Sequence, residues 1–390
     1  MEGKKILKRK IIVTGGGSGG HTSTAKAIID TLRDKYEIND NNFLYIGSDL
    51  GMEREKPGSS LEMKVFKDET FNKKYIRGGK LQRSFNLRSI LLLFRTLLGL
   101  WDSFKILRKF KPDIIISTGG FVSVPVCLVG KLLKAKIYLH EQTAAVGLSN
   151  KIVGKYAEKI FITFPRSAEY FPKKTTIHTG NLVRNEIFQK YGSGPVVDMV
   201  NKMLEIQEEY PIIYISGGSL GSHLINETVK ESLMRLLQDY QIIIQTGDSK
   251  VTNDYQLLVL EREKLNEELK RRLCVTKYID KNEIGFVLNN IDLFIGRSGA
   301  NTVYEMGLLQ IPSIFIPIPW VTHNEQMENA RILEEVGLAK IIREGELTPE
   351  KLQITITLFL KKAKNINQEK LKNTFILGAT DKIIESINLS

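Results

Sequence analysis

Residues 10–21, KIIVTGGGSGGH, decide the fold. A short β-branched strand, Lys10–Thr14, runs straight into a glycine turn, Gly15–Gly20, and then into an amphipathic stretch, Thr24–Tyr36, with helical spacing. The same order returns as PIIYIS at Pro211–Ser216, the turn Gly217–Gly221 and a helix from about Ser222. Further strands are predicted at Phe43–Ile46, Asp113–Ser117, Lys136–Leu139 and Lys159–Phe164 in the first half. In the second half they fall at Gln241–Gln245, Cys274–Tyr278, Leu293–Ile295 and Ser313–Ile316. Strands that alternate with helices and lack hairpin signals predict parallel sheets covered on both faces. Two such openings predict an α/β chain of two doubly wound, Rossmann-like domains. The seam falls near Thr179–Pro195, ahead of the turn-rich run from Tyr191 to Pro195, so the domains are expected at 1–182 and 183–375. The polar stretch Asp248–Arg272 reads as one charged helix, and a last helix is predicted around Ala379–Asn388.

At 390 residues the chain is long for one core and suited to two. Cys127 and Cys274 are its only cysteines, which excludes a disulfide scaffold and, with no CxxC pair, argues against structural zinc. The basic start MEGKKILKRK lacks the apolar core of a signal peptide, and the longest apolar run, Ile90–Trp101, is broken by Arg95. A cytosolic protein is therefore expected. Charge is unevenly spread: residues 1–180 hold 32 Lys+Arg against 16 Asp+Glu, whereas 181–390 hold 24 against 28. The first half is thus built to meet something negative. Nucleic acid is disfavoured as that partner, because no recognisable binding module is present.

Gly15–His21 lies where a strand ends and a helix begins, the usual ligand position in open α/β sheets. A Walker loop would need Gly-Lys-Ser/Thr where Gly20-His21-Thr22 stands. A histidine at such an edge can take a proton near pH 7, so His21 is a candidate base. The turn at 217–221 carries no charge and suits a diphosphate held by backbone amides and the Ser219 hydroxyl. A third turn, Gly296–Thr302, places Glu305 about one helical turn inside, where a carboxylate can accept two bonds from a ribose diol. No Asp-x-Asp triplet occurs in the chain. A metal-held diphosphate is therefore not expected, and a helix N-terminus would have to stabilise the departing group.

Taken together the chain resembles the MurG family of glycosyltransferases. The resemblance rests on GGGSGGH at 15–21, Arg77-Gly78, TGGFVSVP at 118–125, HEQTAAVGLSNK at 140–151 and GNLVR at 180–184. It continues through GGSLG at 217–221, YID at 278–280, RSGANTVYE at 297–305 and NEQMENA at 324–330. It implies a GT-B fold of two Rossmann-like domains facing across a cleft. The acceptor and the membrane would lie on the first domain and the UDP-sugar on the second, with the terminal helix, about 376–390, packing back on the first. It implies His21 and Glu141 as catalytic residues. Arg184 and the Ile279 backbone would hold uracil, Glu305 the ribose and Ser219 the diphosphate. Ala300, Glu325 and Gln326 would face the sugar, and Ser18, Gly19, Gly20 and Thr143 would also line the UDP-GlcNAc site. Gly16, Gly17, Gly119 and Gly120 would form loops for the acceptor diphosphate. The chain departs from the family pattern at Thr22-Ser23-Thr24, where a proline is usual, at Thr143 for asparagine and at Leu220 for glutamine.

Residues 73–111 hold eleven Lys+Arg against Asp102 alone, interleaved with leucines, Phe94 and Trp101. A basic helix with an apolar face reads as an interfacial membrane segment, with Arg88, Leu92, Phe94, Arg95, Trp101, Lys105 and Arg108 as its contacts. The function expected is inverting transfer of N-acetylglucosamine from UDP-GlcNAc to the C4 hydroxyl of a polyprenyl-diphosphate-linked MurNAc-pentapeptide, the lipid I to lipid II step of peptidoglycan synthesis. It would run without a cofactor, at an anionic membrane on the cytoplasmic face. The rivals are a transferase acting on another lipid-linked acceptor, a UDP-GlcNAc epimerase of the same architecture, and a silent sugar-nucleotide-binding module.

Overall fold

The computed structural model describes residues 4–50, 58, 60–79, 87–205, 210–218, 220–321, 324–362, 366–387 and 389, with side chains at 87–94 and 362 excepted. The chain divides into two compact units, Met1–Leu182 with Ile376–Ser390, and Val183–Phe375. The first unit opens with β1 (Lys5–Ile6), β2 (Ile11–Gly15), α1 (Gly19–Lys35), β3 (Tyr36–Glu37), β4 (Phe43–Ser48) and α2 (Leu61–Val65). It continues through β5 (Lys73–Ile76), α3 (Leu87–Phe110), β6 (Ile114–Gly119), α4 (Ser123–Leu132), β7 (Lys136–Glu141), α5 (Leu148–Gly154), β8 (Lys159–Ile162) and β9 (Thr176–His178). The second unit runs α6 (Pro195–Leu204), β10 (Ile212–Ser216), α7 (His223–Asp239), β11 (Gln241–Gln245), α8 (Asp254–Glu263), α9 (Glu267–Arg271) and β12 (Leu273–Thr276). It closes with α10 (Lys281–Asn289), β13 (Leu293–Gly296), α11 (Ala300–Leu309), β14 (Ser313–Phe315), α12 (Glu325–Glu335), β15 (Ala339–Ile341), α13 (Pro349–Lys362) and α14 (Gln368–Thr374), before α15 (Ala379–Ser386) joins the first unit.

Each unit holds one large all-parallel sheet, in the order β5-β4-β2-β6-β7-β8-β9 and β12-β11-β10-β13-β14-β15, and β1 pairs with β3 in a separate two-stranded sheet of the first unit. The inner strands are largely apolar because both faces are buried. Alternation sorts them. Ile11 and Val13 of β2, with Ile114 and Ile116 of β6, pack under Ala25, Ile28, Ile29 and Leu32 of α1. Ile12, Ile115 and Ile137 point the other way, toward Leu107 of α3 and Val126 and Val129 of α4. The terminal segment completes the first of these cores: Ile383, Ile384, Ile387 and Leu389 are buried beside α1, Lys35 pairs with Asp381, and Lys159 Nζ donates to the Ser386 carbonyl at 2.9 Å.

Two expectations about elements fail for local reasons. Asp248–Arg272 is not one helix but α8 and α9, because the Asn266 side chain accepts the Leu269 N–H at 2.9 Å and starts a new helix. The basic stretch 73–111 is not all helix either, since Lys73–Ile76 is an edge strand paired with β4. Helix α1 also begins earlier than its apolar spacing suggests. Ser18 caps it, so His21 stands on the first helical turn rather than in the loop.

The terminal helix gives a stability test. Ile383 is fully buried against α1, and Ile383→Ala should cost about 2–5 kcal/mol, the usual price of emptying a buried aliphatic site. Urea unfolding followed by circular dichroism should show that loss for the first unit. A change below about 0.5 kcal/mol would mean that α15 is not part of its core.

Candidate functional site

Ligands of open parallel sheets bind where neighbouring strands send their chains to opposite sides, at the carboxyl edge. That point lies between β2 and β6 in the first unit and between β10 and β13 in the second. The glycine turns sit there. At the first, a Cβ on Gly15 would come within 1.9 Å of Thr118 Oγ1, and one on Gly120, whose φ is +85°, within 2.0 Å of the Gly16 carbonyl. Only glycine lets the two loops approach this closely.

His21 occupies the first crevice, half-buried. Its Nδ1 lies 2.8 Å from the Thr118 carbonyl. A carbonyl only accepts, so Nδ1 carries the proton and Nε2 keeps its lone pair. Burial holds the imidazole below its usual pKa, against the opposing effect of its bonds to Thr118 and Gln142. It is neutral at pH 7. The ring rests against Gly119 and Gly120: a Cβ on Gly119 would lie 2.9 Å from His21 Cε1. Ser18 spends its hydroxyl on the His21 N–H, and Gly19 and Gly20 form the first turn of α1. The expected diphosphate cradle is altered at its start. Gly17 N–H donates to the buried Glu62 carboxylate at 2.8 Å and Gly16 N–H to the Gly119 carbonyl at 3.3 Å, so neither amide is presented to an anion.

Glu141 and Thr143 bond to each other at the end of β7. Glu141 is buried, and its oxygens accept from Thr143 N–H at 2.9 Å, the Thr143 hydroxyl at 2.8 Å and Asn150 Nδ2 at 2.8 Å. Burial raises its pKa, although those bonds oppose the rise. The Thr143 hydroxyl also lies 2.8 Å from the Ala145 carbonyl. Both residues therefore brace the loop from β7 to α5.

In the second unit Arg184 and Glu305 form a bidentate pair, with Nε and Nη2 at 2.9 and 3.0 Å from the two carboxylate oxygens. Tyr214, whose pKa burial pushes up to about 12, donates to Gln245 Oε1 at 3.1 Å, and Ile279 N–H donates to the same atom at 3.2 Å. The Ile279 amide is thus engaged. Ala300 opens α11 behind Gly299, and Glu325 opens α12. Gln326 turns its Oε1 back to Ile318 N–H at 3.1 Å. Ser219 lies outside the described residues, while Gly218, with φ +88°, has open space around it. Buried Arg297 fastens this edge together. It donates to Ser222 Oγ and the Ile316 carbonyl, each at 2.8 Å, and pairs with Glu344. Sequence reasoning passed over Arg297, Gln142, Gln245 and Asn150, although the first, second and fourth stand inside the quoted motifs.

On α3, Leu97 and Trp101 are more than half exposed, at 56% and 53%. Trp101 stacks on Phe104, with Lys105 over the Trp101 ring and Arg108 over Phe104. Arg95, expected among these cations, is ion-paired. It is bound to Asp49 at 2.7 Å and donates to the Gly78 carbonyl. Arg88, Leu92 and Phe94 lie on α3, but their side chains are outside the description. No helix among the described residues is long and apolar enough to cross a membrane.

Comparison with known proteins decides what these crevices belong to. Residues 11–162 match the glycosyltransferase family 28 N-terminal domain and 212–385 its C-terminal domain. The chain is 35% identical over 346 residues to a Bacillus thuringiensis protein named UDP-N-acetylglucosamine–N-acetylmuramyl-(pentapeptide) pyrophosphoryl-undecaprenol N-acetylglucosamine transferase 3, covering 88% of this chain and 89% of that one. A transferase of the same designation from Acetivibrio thermocellus is 32% identical, with 97% of each chain covered. The chain belongs to the MurG family of glycosyltransferases. The crystal structure of Acinetobacter baumannii MurG shares its two-domain α/β fold over 99% of both chains, with a TM-score of 0.70 at 22% identity. A putative UDP-N-acetylglucosamine 2-epimerase from Listeria monocytogenes also superposes, at TM-score 0.62 and 14% identity over 97% of this chain and 95% of that one. Architecture is therefore shared with epimerases, and membership of the MurG family rests on the sequence relatives.

The MurG-family crevice around His21 yields a sharp test. Gly119→Ala combines a φ of +96° with a methyl that would press on His21 and Asn150, so it should cost about 1–3 kcal/mol of strain. It should also displace the imidazole. Thermal unfolding together with the His21 ring signals in NMR would reveal both effects, and unchanged ring signals would show that Gly119 does not make room for the histidine.

Proposed function

We propose that this chain transfers N-acetylglucosamine from UDP-GlcNAc to the C4 hydroxyl of MurNAc-pentapeptide carried on a polyprenyl diphosphate. The first unit takes the acceptor and the second the sugar nucleotide. Relatives across nearly the whole chain bear the name of that reaction, but the observation that carries the reading is the state of His21: neutral, Nδ1 committed to Thr118, and Nε2 left as a lone pair. The acceptor oxygen forms its bond to the anomeric carbon as the bond from that carbon to the UDP oxygen breaks. The acceptor proton passes to His21 Nε2, and UDP leaves with the electron pair. One displacement inverts the carbon, so an α-linked donor gives a β-linked product.

Holding UDP falls to the second unit. Glu305, already paired with Arg184, presents a carboxylate for the ribose hydroxyls, and Arg184 and the Ile279 carbonyl frame the uracil. The amides at the start of α7 offer partial positive charge to the diphosphate as it leaves. Glu141 holds the loop beside His21 and takes no proton. The pyrophosphoryl group of the acceptor would meet the first turn of α1 and Gly120. No cofactor enters the scheme. The enzyme would work as a peripheral protein on the cytoplasmic face of the membrane, with Leu97, Trp101, Lys105 and Arg108 touching anionic lipid.

Two experiments test this. Purified enzyme given UDP-GlcNAc and a short-chain lipid I analogue should release UDP and form the disaccharide. His21→Ala should lower turnover by about 10²–10⁴-fold, with UDP affinity nearly unchanged. Because only neutral His21 accepts a proton, kcat/KM should be level above the histidine's pKa and fall as pH drops through a value below 6.5. Turnover by His21→Ala near the wild-type rate would remove the histidine from the reaction.

Anionic vesicles should bind the protein more tightly than neutral ones. Glutamate at both Lys105 and Arg108 should weaken that binding by more than tenfold, since each cation near an anionic surface contributes about 1 kcal/mol. Transfer to a soluble acceptor should persist in that variant. Equal sedimentation with both kinds of vesicle would discard the membrane face.

A further inference from the structure

The Thr118 carbonyl that fixes the His21 tautomer has a second donor. Gln142 Nε2 lies 2.6 Å from the same oxygen, and the Gln142 side chain acts to raise the His21 pKa. Gln142 is 2% exposed and stands just past the end of β7, whereas Thr118 belongs to β6 and His21 to α1. One amide therefore ties together the ends of three elements at the imidazole. Thr118 returns the tie through its own hydroxyl, which donates to the His21 carbonyl at 2.9 Å. We propose that Gln142 is a positioning residue for proton transfer: by sharing the Thr118 carbonyl with His21 Nδ1–H it locks the tautomer and ring angle that leave Nε2 open to the acceptor hydroxyl.

The chemistry follows from the amide's two ends. Its N–H occupies the second lone pair of Thr118 and fixes that carbonyl's direction, while its oxygen, like any amide oxygen, can only accept. An amide does this without adding charge, so the ring stays neutral at pH 7 and is still held. A carboxylate in its place would favour imidazolium. An apolar side chain would leave the tautomer to Thr118 alone. The other titratable groups on the elements around His21 are already committed. Glu62 of α2 accepts the Gly17 N–H, and Glu141 of β7 is taken up by Thr143 and Asn150. His140 of β7, brought down to about 4 by burial, bonds the Gly180 carbonyl, and Lys151 of α5 lies over Tyr170. Gln142 is the neighbour left to set the proton's place.

This inference rests on the reading of His21 as the base, and its test separates the two. In the full-length protein without substrate, ¹⁵N imidazole shifts of His21 should report the Nδ1–H tautomer. Gln142→Glu should raise the His21 titration midpoint by about one pH unit or more, as a carboxylate at this range does, and Gln142→Leu should lower it and broaden the ring signals. The acid limb of kcat/KM should move in the same two directions, with kcat falling at least tenfold in Gln142→Leu and KM for UDP-GlcNAc holding steady. A residue that merely supports the loop would lower kcat without moving either midpoint. Identical His21 titrations in wild type and Gln142→Glu overturn the proposal. Shifted titrations together with a pH profile that ignores them uphold the Gln142 contact and reject His21 as the base.

Discussion

The functional architecture depends on how closely neighbouring strand ends approach at each point where the parallel sheet changes direction. Between β2 and β6 that approach leaves no room for a Cβ at Gly15, and between β10 and β13 a Cβ at Gly296 would sit 2.1 Å from the Ser216 carbonyl. Where strands end this close together, the loops that follow must part to opposite faces, and parting is what makes a crevice. Glycine at these positions therefore comes first. The helix start behind each loop, with its unpaired amides, is delivered to the crevice by the same geometry. In this sense the two units solve one problem twice, and the side chains that differ between them carry the chemistry.

Those side chains follow an economy of charge. In the first unit the carboxylates near the crevice are turned inward, Glu62 onto Gly17 N–H and Glu141 onto Thr143 and Asn150. Each repays its burial by bracing a loop, as a buried carboxylate must. That leaves the crevice itself to a neutral imidazole and to backbone amides, an arrangement hospitable to a phosphate that two free carboxylates would repel. The second unit keeps its charge in pairs. Arg184 with Glu305, and Arg297 with Glu344, each remain close to neutral overall.

The sequence made the sheets legible because strands buried on both faces are continuous runs of Ile, Val and Leu, and the glycine turns mark where they end. Besides the two-residue strands β1 and β3, three strands escaped notice: β5, β9 and β15. All three are sheet edges, where half the backbone and much of the side-chain surface needs no apolar partner, so KKYI, TIH and AKI carry little signal. The start of α1 escaped for another reason. Its first turn is Gly-Gly-His-Thr, poor helix formers placed there by the Ser18 cap and by the ligand crevice rather than by propensity. At the sites, residue types pointed to His21 and Glu305, but sequence cannot say which polar groups spend themselves on one another. Glu141 and Thr143 read as ligands because they are polar and lie in a motif. Only the fold reveals that they face each other. Arg95 belongs to the same class, a cation in a basic stretch whose partner, Asp49, lies 46 residues away.

Two of the three departures from the family pattern, Thr143 and Leu220, separate by mechanism. Thr143 replaces the usual asparagine at a position whose work is internal: its N–H and hydroxyl both reach Glu141 Oε1, and a short hydroxyl does this without projecting from the loop. What the exchange removes is reach toward a ligand, not the brace. Leu220, in place of glutamine, is 79% exposed. It packs into no core, so the fold gains nothing from its being apolar, and an exposed leucine beside an otherwise polar turn costs the protein little. An amide lost from this turn removes a hydrogen-bonding side chain. Because Gly221, with φ +76°, already presses against Thr246 and Gly247, the path of the turn is set by the neighbouring strand and not by the residue at 220. The turn keeps its shape whichever side chain stands there, and position 220 is free to vary with what the loop must hold.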